Sequence, residues 1–364
     1  MFKINKNILL LTIIICISLS YAARASMEFT SAKTYARIEK NLPKAEEFGL
    51  IALKKEPNNS FIPYFLAKEV FMMQKKQKEA GEMFIEALNR PDSKLEKPFR
   101  IGDTKYKTVH QATTLHADDF YNSAIDFYNK ENIDNALTMI NVCLKLDPFH
   151  KRSYMLLSEI EGSNNNISAA VAYLDKILEE NFNLTDQEEF DINLQKVNYF
   201  RKDKKFQQGI EILTNFEDKQ GDNILLKRSL FFLYIDMGNI DTAIPYGNEL
   251  FIAMEDDPEV PMALISECAF NLGILYRNQG STLYNNKVIK YFSDSEKTND
   301  KTNKHLDYSY QVIESFELAK EYFQNSTNYD EEGTSISKQY KKDMRKLIKN
   351  INNEVIPQLE ALLK

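Results

Sequence analysis

Tryptophan is absent from the 364 residues, cysteine occurs three times, histidine four times and glycine eleven times. So few ligand-forming side chains leave little for metal or disulfide chemistry. No Cys pair stands at metal-ligand spacing, and there is no HExxH helix, no Gly-rich phosphate loop and no GxSxG elbow. His110 and His116 are six residues apart, about 240° around a helix, so one face cannot bring both to a shared ligand. All four histidines, His150 and His305 included, read as surface residues. Asp118-Asp119, Glu188-Glu189 and Glu255-Asp256-Asp257 lack the spaced oxygens of a calcium loop and read as solvated helix ends. These absences predict no catalytic residue, no cofactor, no metal and no enzyme.

Charge is also one-sided. The formal net charge is −7; without residues 1–25, which hold Lys3, Lys6 and Arg24 and no acid, it is −10. An acidic chain with no dense basic stripe argues against nucleic acid as its main ligand. After the N-terminus no apolar run approaches the roughly 20 residues that span a bilayer. What the chain does have is 43% hydrophobic and 12% aromatic residues, enough to bury a sizeable core.

Residues 1–7 carry two lysines, Ile8–Leu19 is almost unbroken aliphatic, and small residues follow. Ser20-Tyr21-Ala22 and Ala23-Arg24-Ala25 both present small residues at the −3 and −1 positions of a cleavage site. This basic, apolar, small order is that of a secretory signal peptide over 1–25. The alternative is an uncleaved N-terminal anchor. Export predicts a periplasmic or extracellular protein, without stable membrane insertion after cleavage. Ile15 before Cys16 is a poor fit to a lipid attachment site. Cys143 and Cys268 sit in apolar helical runs and read as two buried thiols.

One local pattern recurs: Ala, a bulky apolar residue four on, then a small residue with Leu, then Pro. Ala136, Ile140, Cys143, Leu144 and Pro148 carry it fully. Ala45, Ala52, Leu53 and Pro57 carry it in part, as do Ala80, Phe84, Ala87, Leu88 and Pro91, and Ala170, Leu174, Ile177 and Leu178. Ala45 to Ala80 is 35 residues, Ala136 to Ala170 is 34, and Gly209 to Ala243 is 34. A period near 34 with apolar residues at helical spacing predicts stacked helix-turn-helix units. Phe120, Ala124 and Phe127, then Tyr154 and Leu157, continue the pattern in first helices, and Leu272, Gly273 and Tyr276 give a Leu-Gly-x-x-Tyr element.

These residues resemble the tetratricopeptide repeat (TPR) family, in an exported bacterial form. The departures are the missing tryptophan and Gly209 in place of a second-helix alanine. The resemblance implies an all-α fold: an α-solenoid of about seven helix-turn-helix repeats with a C-terminal capping helix. Repeats 1 and 2 are expected over 26–94, and repeats 3–6 with the first helix of repeat 7 over 110–276. Interruptions are expected at 95–109, around Gly102-Asp103, as a short hairpin, and at 277–305 as a mobile polar loop. After the hairpin one long helix is expected from Thr108 to about Lys130. The second helix of repeat 7 falls in 306–330, and 331–364 forms the cap, with lysine-rich outer positions.

The resemblance further implies that first helices line a concave face. Carrying its register across places Ile62, Phe65, Glu69 and Met72 there, then Tyr121, Ile125, Tyr128 and Met155, then Arg228, Phe232, Phe270 and Arg277. Apolar and aromatic side chains outnumber charges, which suits an extended peptide or a partner helix. The competing reading is that curvature or the C-terminal helix already covers them. The Lys/Asn carboxylate clamp of some family members is absent, since Thr30, Thr34, Tyr121 and Ile125 stand at its positions. The expected function is a non-enzymatic protein-interaction scaffold or adaptor of a bacterial envelope. The alternative is a module for a lipid, glycan or other small ligand.

Overall fold

The computed structural model describes residues 25–179, 182–220, 222–292, 297–330 and 336–364. The expected signal peptide, apart from Ala25, lies outside the described residues. Among the described residues the chain is all-α apart from one β-hairpin, and it divides into two compact units, Met1–Asn183 and Leu184–Lys364.

In the first unit four helical hairpins follow one another. They are α1 (Met27–Arg37) with α2 (Leu42–Lys55), and α3 (Phe61–Phe65, widening into a π-helical stretch at Leu66–Phe71) with α4 (Gln77–Asn89). Then come α6 (Ala117–Tyr128) with α7 (Ile133–Leu146), and α8 (Lys151–Ser163) with α9 (Ile167–Glu179). The repeated alanines explain the packing: Ala45, Ala52, Ala80, Ala87, Ala136 and Ala170 are completely buried where helices approach. Phe29, Phe65, Phe84 and Phe120 fill the spaces between them.

One turn closes hairpin after hairpin. Lys40, Lys75, Glu131 and Asn165 have φ of 55°, 61°, 58° and 63°. In the later three, the N–H of the next residue donates to the carbonyl five back, as Asn132 does to Phe127 at 2.9 Å. This is a Schellman-type helix end. In the first and third hairpins the residue after the left-handed one caps the next helix: Asn41 accepts from the Lys44 N–H and Asn132 from the Asn135 N–H.

Between α4 and α6 the strands β1 (Lys94–Ile101) and β2 (Thr104–Thr108) pair antiparallel across Gly102-Asp103, with Gly102 at φ 54°. Phe99 stacks on Tyr106 at 5.3 Å. Glu96 on β1 accepts from Lys33 at 2.7 Å and from Arg37 at 2.9 Å, tying the hairpin to α1. Burial alone would raise the Glu96 carboxyl, but these two cations hold it below its ordinary value. The single long helix expected after the hairpin is broken instead. A Thr108–Gln111 capping box starts α5 (Val109–Thr114), and α6 restarts at Ala117. The break at Leu115-His116 turns the His116 ring onto Phe84.

In the second unit, α10 (Asp186–Lys202) pairs with α11 (Phe206–Gln220), and α12 (Ile224–Asp236) with α13 (Ile240–Asp256). Lys204 and Gly238 repeat the left-handed turn, at φ 58° and 73°. The last pair is longer: α14 (Met262–Leu283, continued by a π-helical Tyr284–Ile289 and by Lys290–Phe292) lies against α15 (Asn299–Asn328).

The polar loop expected over 277–305 is therefore a correction: the chain stays helical to Phe292 and is helical again from Asn299. Among the described residues Asn285, Asn286, Lys287, Lys290, Asn303 and Lys304 lie on the exposed side. On the inner side Tyr276, Gly280, Val288 and Tyr291 are buried, and Thr302 is buried on the returning helix. Gly280 permits the close crossing, because a Cβ there would sit 2.8 Å from the Phe316 ring. A second core cluster gathers Phe190, Val197, Leu213, Leu226 and Leu230, and a third spans α13 to the C-terminus. Helix α16 (Ile336–Asn350) continues through a π-helical Ile351–Val355 into α17 (Ile356–Ala361). It buries Met344, Ile348, Ile351 and Leu359 in that third cluster.

Candidate partner-binding face

In the first unit, Phe65 is a correction to the expected groove. Its side chain and that of Ile62 are completely buried, Phe65 lying edge-on to Phe29 at 5.4 Å. Helix α1 packs over this part of α3, and further along Glu69 and Met72 remain half-buried. Glu69, about one turn before Met72, is paired with Arg37 at 2.6 Å.

Tyr121, Ile125 and Tyr128 on α6 and Met155 on α8 do share one half-exposed face. The Arg152 guanidinium lies 4.7 Å from the Tyr121 ring centroid, and the Tyr128 hydroxyl donates to Glu159 at 3.0 Å. Burial, with Glu159 and Asp118 near, raises the Tyr121 hydroxyl above its ordinary pKa, Arg152 opposing. Asp118 accepts from both Arg152 and His150.

That contact belongs to an arrangement the sequence reading missed. His150 Nδ1 is 2.9 Å from the Ser153 hydroxyl, and its Nε2 is 3.1 Å from Asp118. The residue types are those of an acyl-transfer triad, but the Ser153 side chain is completely buried, so no substrate carbonyl can reach it. Nδ1 also accepts the Ser153 backbone N–H, which makes His150 the N-cap of α8. The local signal was there: a His three residues before Ser, directly after a Pro-terminated helix.

His150 as a surface residue is thus a correction, because it is buried. The other three histidines are half-buried. His110 Nε2 lies within 3.1 Å of the Ala87 and Arg90 carbonyls. His116 stacks on Phe84, and His305 on Tyr291 at 4.2 Å. Single-residue reasoning could not place them, since the partners are 14 to 32 residues away or at helix junctions.

In the second unit, two guanidiniums, Arg201 and Arg228, lie over the Phe232 ring, each 5.2 Å from its centroid. Arg201 pairs with Asp236, and Arg228 donates to Glu267 at 2.8 Å. Phe270 and Arg277 lie beneath α16. Phe270 is 5.9 Å from Tyr340, Tyr340 stacks on Phe323 at 5.1 Å, and the Arg277 guanidinium is 5.0 Å from the Tyr340 ring. The C-terminal helix therefore covers this end of the expected face.

A separate open cleft of about 730 Å³ in this unit lies among the α12–α13 turn, α14 and α15, lined by Asn239, Asp241, Gln279, Asn286, Gln311 and Glu314. None of the sequence-predicted residues lines it. Among the described residues no three His, Cys, Asp or Glu side chains are grouped to hold a metal ion, and no helix is long and apolar enough to cross a membrane.

No family model and no curated protein matches the chain. Solved structures that resemble it include the C-terminal part of a TPR repeat-containing protein from Cytophaga hutchinsonii, at 12% identity over 86% of this chain and 98% of that one, with a TM-score of 0.43. A TPR repeats protein from Bacteroides fragilis is 17% identical over 64% of this chain and 99% of that one, TM-score 0.36. PilF of Pseudomonas aeruginosa is 18% identical over 61% of this chain and 88% of that one, TM-score 0.29. Likeness at this level does not extend to what those proteins bind. The chain's own period near 34, its alanine-lined helical hairpins and their shared left-handed turn make it an all-α protein of repeated helical hairpins.

Proposed function

We propose that this chain is an exported, non-enzymatic protein-interaction scaffold. Its partners dock on the first-helix faces of α6 and α8 in one unit and of α10 and α12 in the other. The observation behind this reading is the pairing of half-exposed aromatic rings with guanidiniums: Arg152 on Tyr121, Arg201 and Arg228 on Phe232. Tyr and Arg are the side chains most enriched where binding energy concentrates, and rings already held by cations lose little entropy on binding. A face built only to be solvated would carry lysine and glutamate instead. Met72, Ile125, Tyr128 and Met155 supply apolar area beside it. Phe270 and Arg277 contribute only if α16 moves away.

The test is affinity capture from envelope extract with the immobilised chain from Ser26 onward, beside a variant with Tyr121→Ser and Phe232→Ser of unchanged circular dichroism. One dominant protein lost in the variant supports the reading. Equal capture by both, or none by either, sinks it. Export rests on the order of residues 1–25. N-terminal sequencing of the protein recovered from the source should begin at Ala23 or Ser26; a start at Met1 means an anchor. The small-ligand reading has one observation behind it, the open cleft of the second unit, lined by amide, charged and aliphatic side chains. A thermal-shift panel of soluble glycans would reveal it.

A further inference from the structure

One helix departs from the chain's acidic balance. Between 336 and 350 stand six basic residues and one acid, Asp343, while the whole chain carries −7. At about 100° per residue, Lys338, Lys342, Arg345, Lys346 and Lys349 fall within an arc of about 100° on α16. All five are exposed. Met344, Ile348 and Ser337 on the opposite side are buried, so the helix can neither roll nor insert. Tyr340, stacked on Phe323, pins it further.

Four of the five cations, Lys338, Lys342, Arg345 and Lys349, have no ion-pair partner among the described residues. The fifth, Lys346, lies 4.0 Å from Asp343. The sixth, Lys341, sits at the edge of the arc and shares a surface pocket with Glu314, Glu317 and Glu321 of α15. From Lys338 to Lys349 the row is about 16 Å long at 1.5 Å per residue.

We propose that this lysine face docks the protein on an anionic phospholipid surface. Four of the five cations are lysines, point charges without the fork by which arginine grips an individual carboxylate or phosphate. They form a straight row on a rigid helix, with no aromatic side chain interleaved to stack on a base. Such a row complements a plane of charge rather than a shaped partner. Screening confines the attraction to within about 10 Å, so the acidic remainder of the protein does not cancel it. With the apolar face locked in the core, the contact is electrostatic and reversible.

The test is sedimentation with vesicles of phosphatidylglycerol in phosphatidylethanolamine, and with phosphatidylcholine vesicles as the neutral surface. The three core clusters lie within residues 25–364, so the chain from Ser26 carries all three and keeps the apolar N-terminus out of the lipid. Binding to the anionic vesicles only, abolished by high salt, is expected. The variant K338Q/K342Q/R345Q/K349Q should bind several hundredfold more weakly, at roughly fivefold for each of four charges. A variant with as many exposed lysines removed elsewhere, K54Q/K78Q/K105Q/K107Q, should lose far less. All eight positions are exposed, and unchanged circular dichroism confirms both folds. No binding to the anionic vesicles, or equal loss in the two variants, overturns the proposal. So does a stripe that binds polyglutamate and not vesicles, which would make the partner an acidic protein.

Discussion

The imidazole of His116 lies flat on the phenyl ring of Phe84, centroids 4.4 Å apart and planes 20° from parallel. The stack exists because the helix after the β-hairpin breaks at Leu115-His116, which sends the ring inward between α4 and α6. Burial disfavours the charged imidazolium and sets its pKa below the ordinary 6.5, despite the opposing Asp119 carboxylate at 2.8 Å; Lys68 lowers it slightly further.

A lowered histidine pKa means that the unfolded chain binds the proton more readily. The stabilising contribution is therefore complete above about pH 6.5 and is lost as pH falls through that value toward the folded-state pKa. Thermal midpoints measured from about pH 7.5 down to about pH 5 should fall, and His116→Leu should flatten part of that fall. An unchanged slope in the variant would show that the acid limb comes from other groups.

The left-handed turn residues offer a paired experiment. Glu131 (φ 58°) and Gly238 (φ 73°) close equivalent turns in different units, and both are exposed. A side chain in this region costs about 1–2 kcal/mol. Gly238→Ala should destabilise by about that much, while Glu131→Gly should be neutral or gain up to about 1 kcal/mol, part of the relief being offset in the unfolded chain. Without tryptophan, urea unfolding is best followed by far-UV circular dichroism.

Two helical glycines should behave differently. A Cβ on Gly247 would meet the Phe231 ring at 2.5 Å and Leu272 at 2.7 Å, both completely buried. Gly247→Ala should cost about 1–3 kcal/mol through overpacking. At Gly209 the nearest atom, on Leu233, is 3.3 Å away. There the better helix propensity of alanine roughly offsets the tighter contact, so Gly209→Ala should stay within about 1 kcal/mol of wild type.

Cys143 and Cys268 are buried free thiols, raised by burial to about 11 and about 12 respectively. The thiolate is the reactive form. Neither should react with a disulfide reagent such as Ellman's at mildly alkaline pH until denaturant is added. Fast labelling of the folded protein at either cysteine would show that its helix opens locally.

Much of this was written in local residue order. Ala136, Ile140, Cys143 and Leu144 announce a helix whose small residues meet a neighbour, because a 3.6-residue period repeats one side chain face every turn. The interval near 34 then implies stacking, since a lone helical pair cannot bury its apolar stripe. The turns were harder to read. Lys40, Lys75, Glu131 and Lys204 adopt a conformation usually associated with glycine, and only the flanking helices hold them there.

Tertiary packing alone decided which half-apolar residues are core and which are face. Phe65 stands in the same register as Tyr121, yet α1 closes over it and over Ile62 beside it. Arg277 and Phe270 are likewise claimed by Tyr340, about 60 to 70 residues downstream. The polar composition of 277–305 suggested a loop, but with Val288 and Tyr291 buried the chain is helical to Phe292 and again from Asn299. The amino-acid sequence by itself determined that helices form and recur, because periodicity is a local property. Which faces those helices leave open depends on what packs across them, and only the folded chain brings those partners into contact.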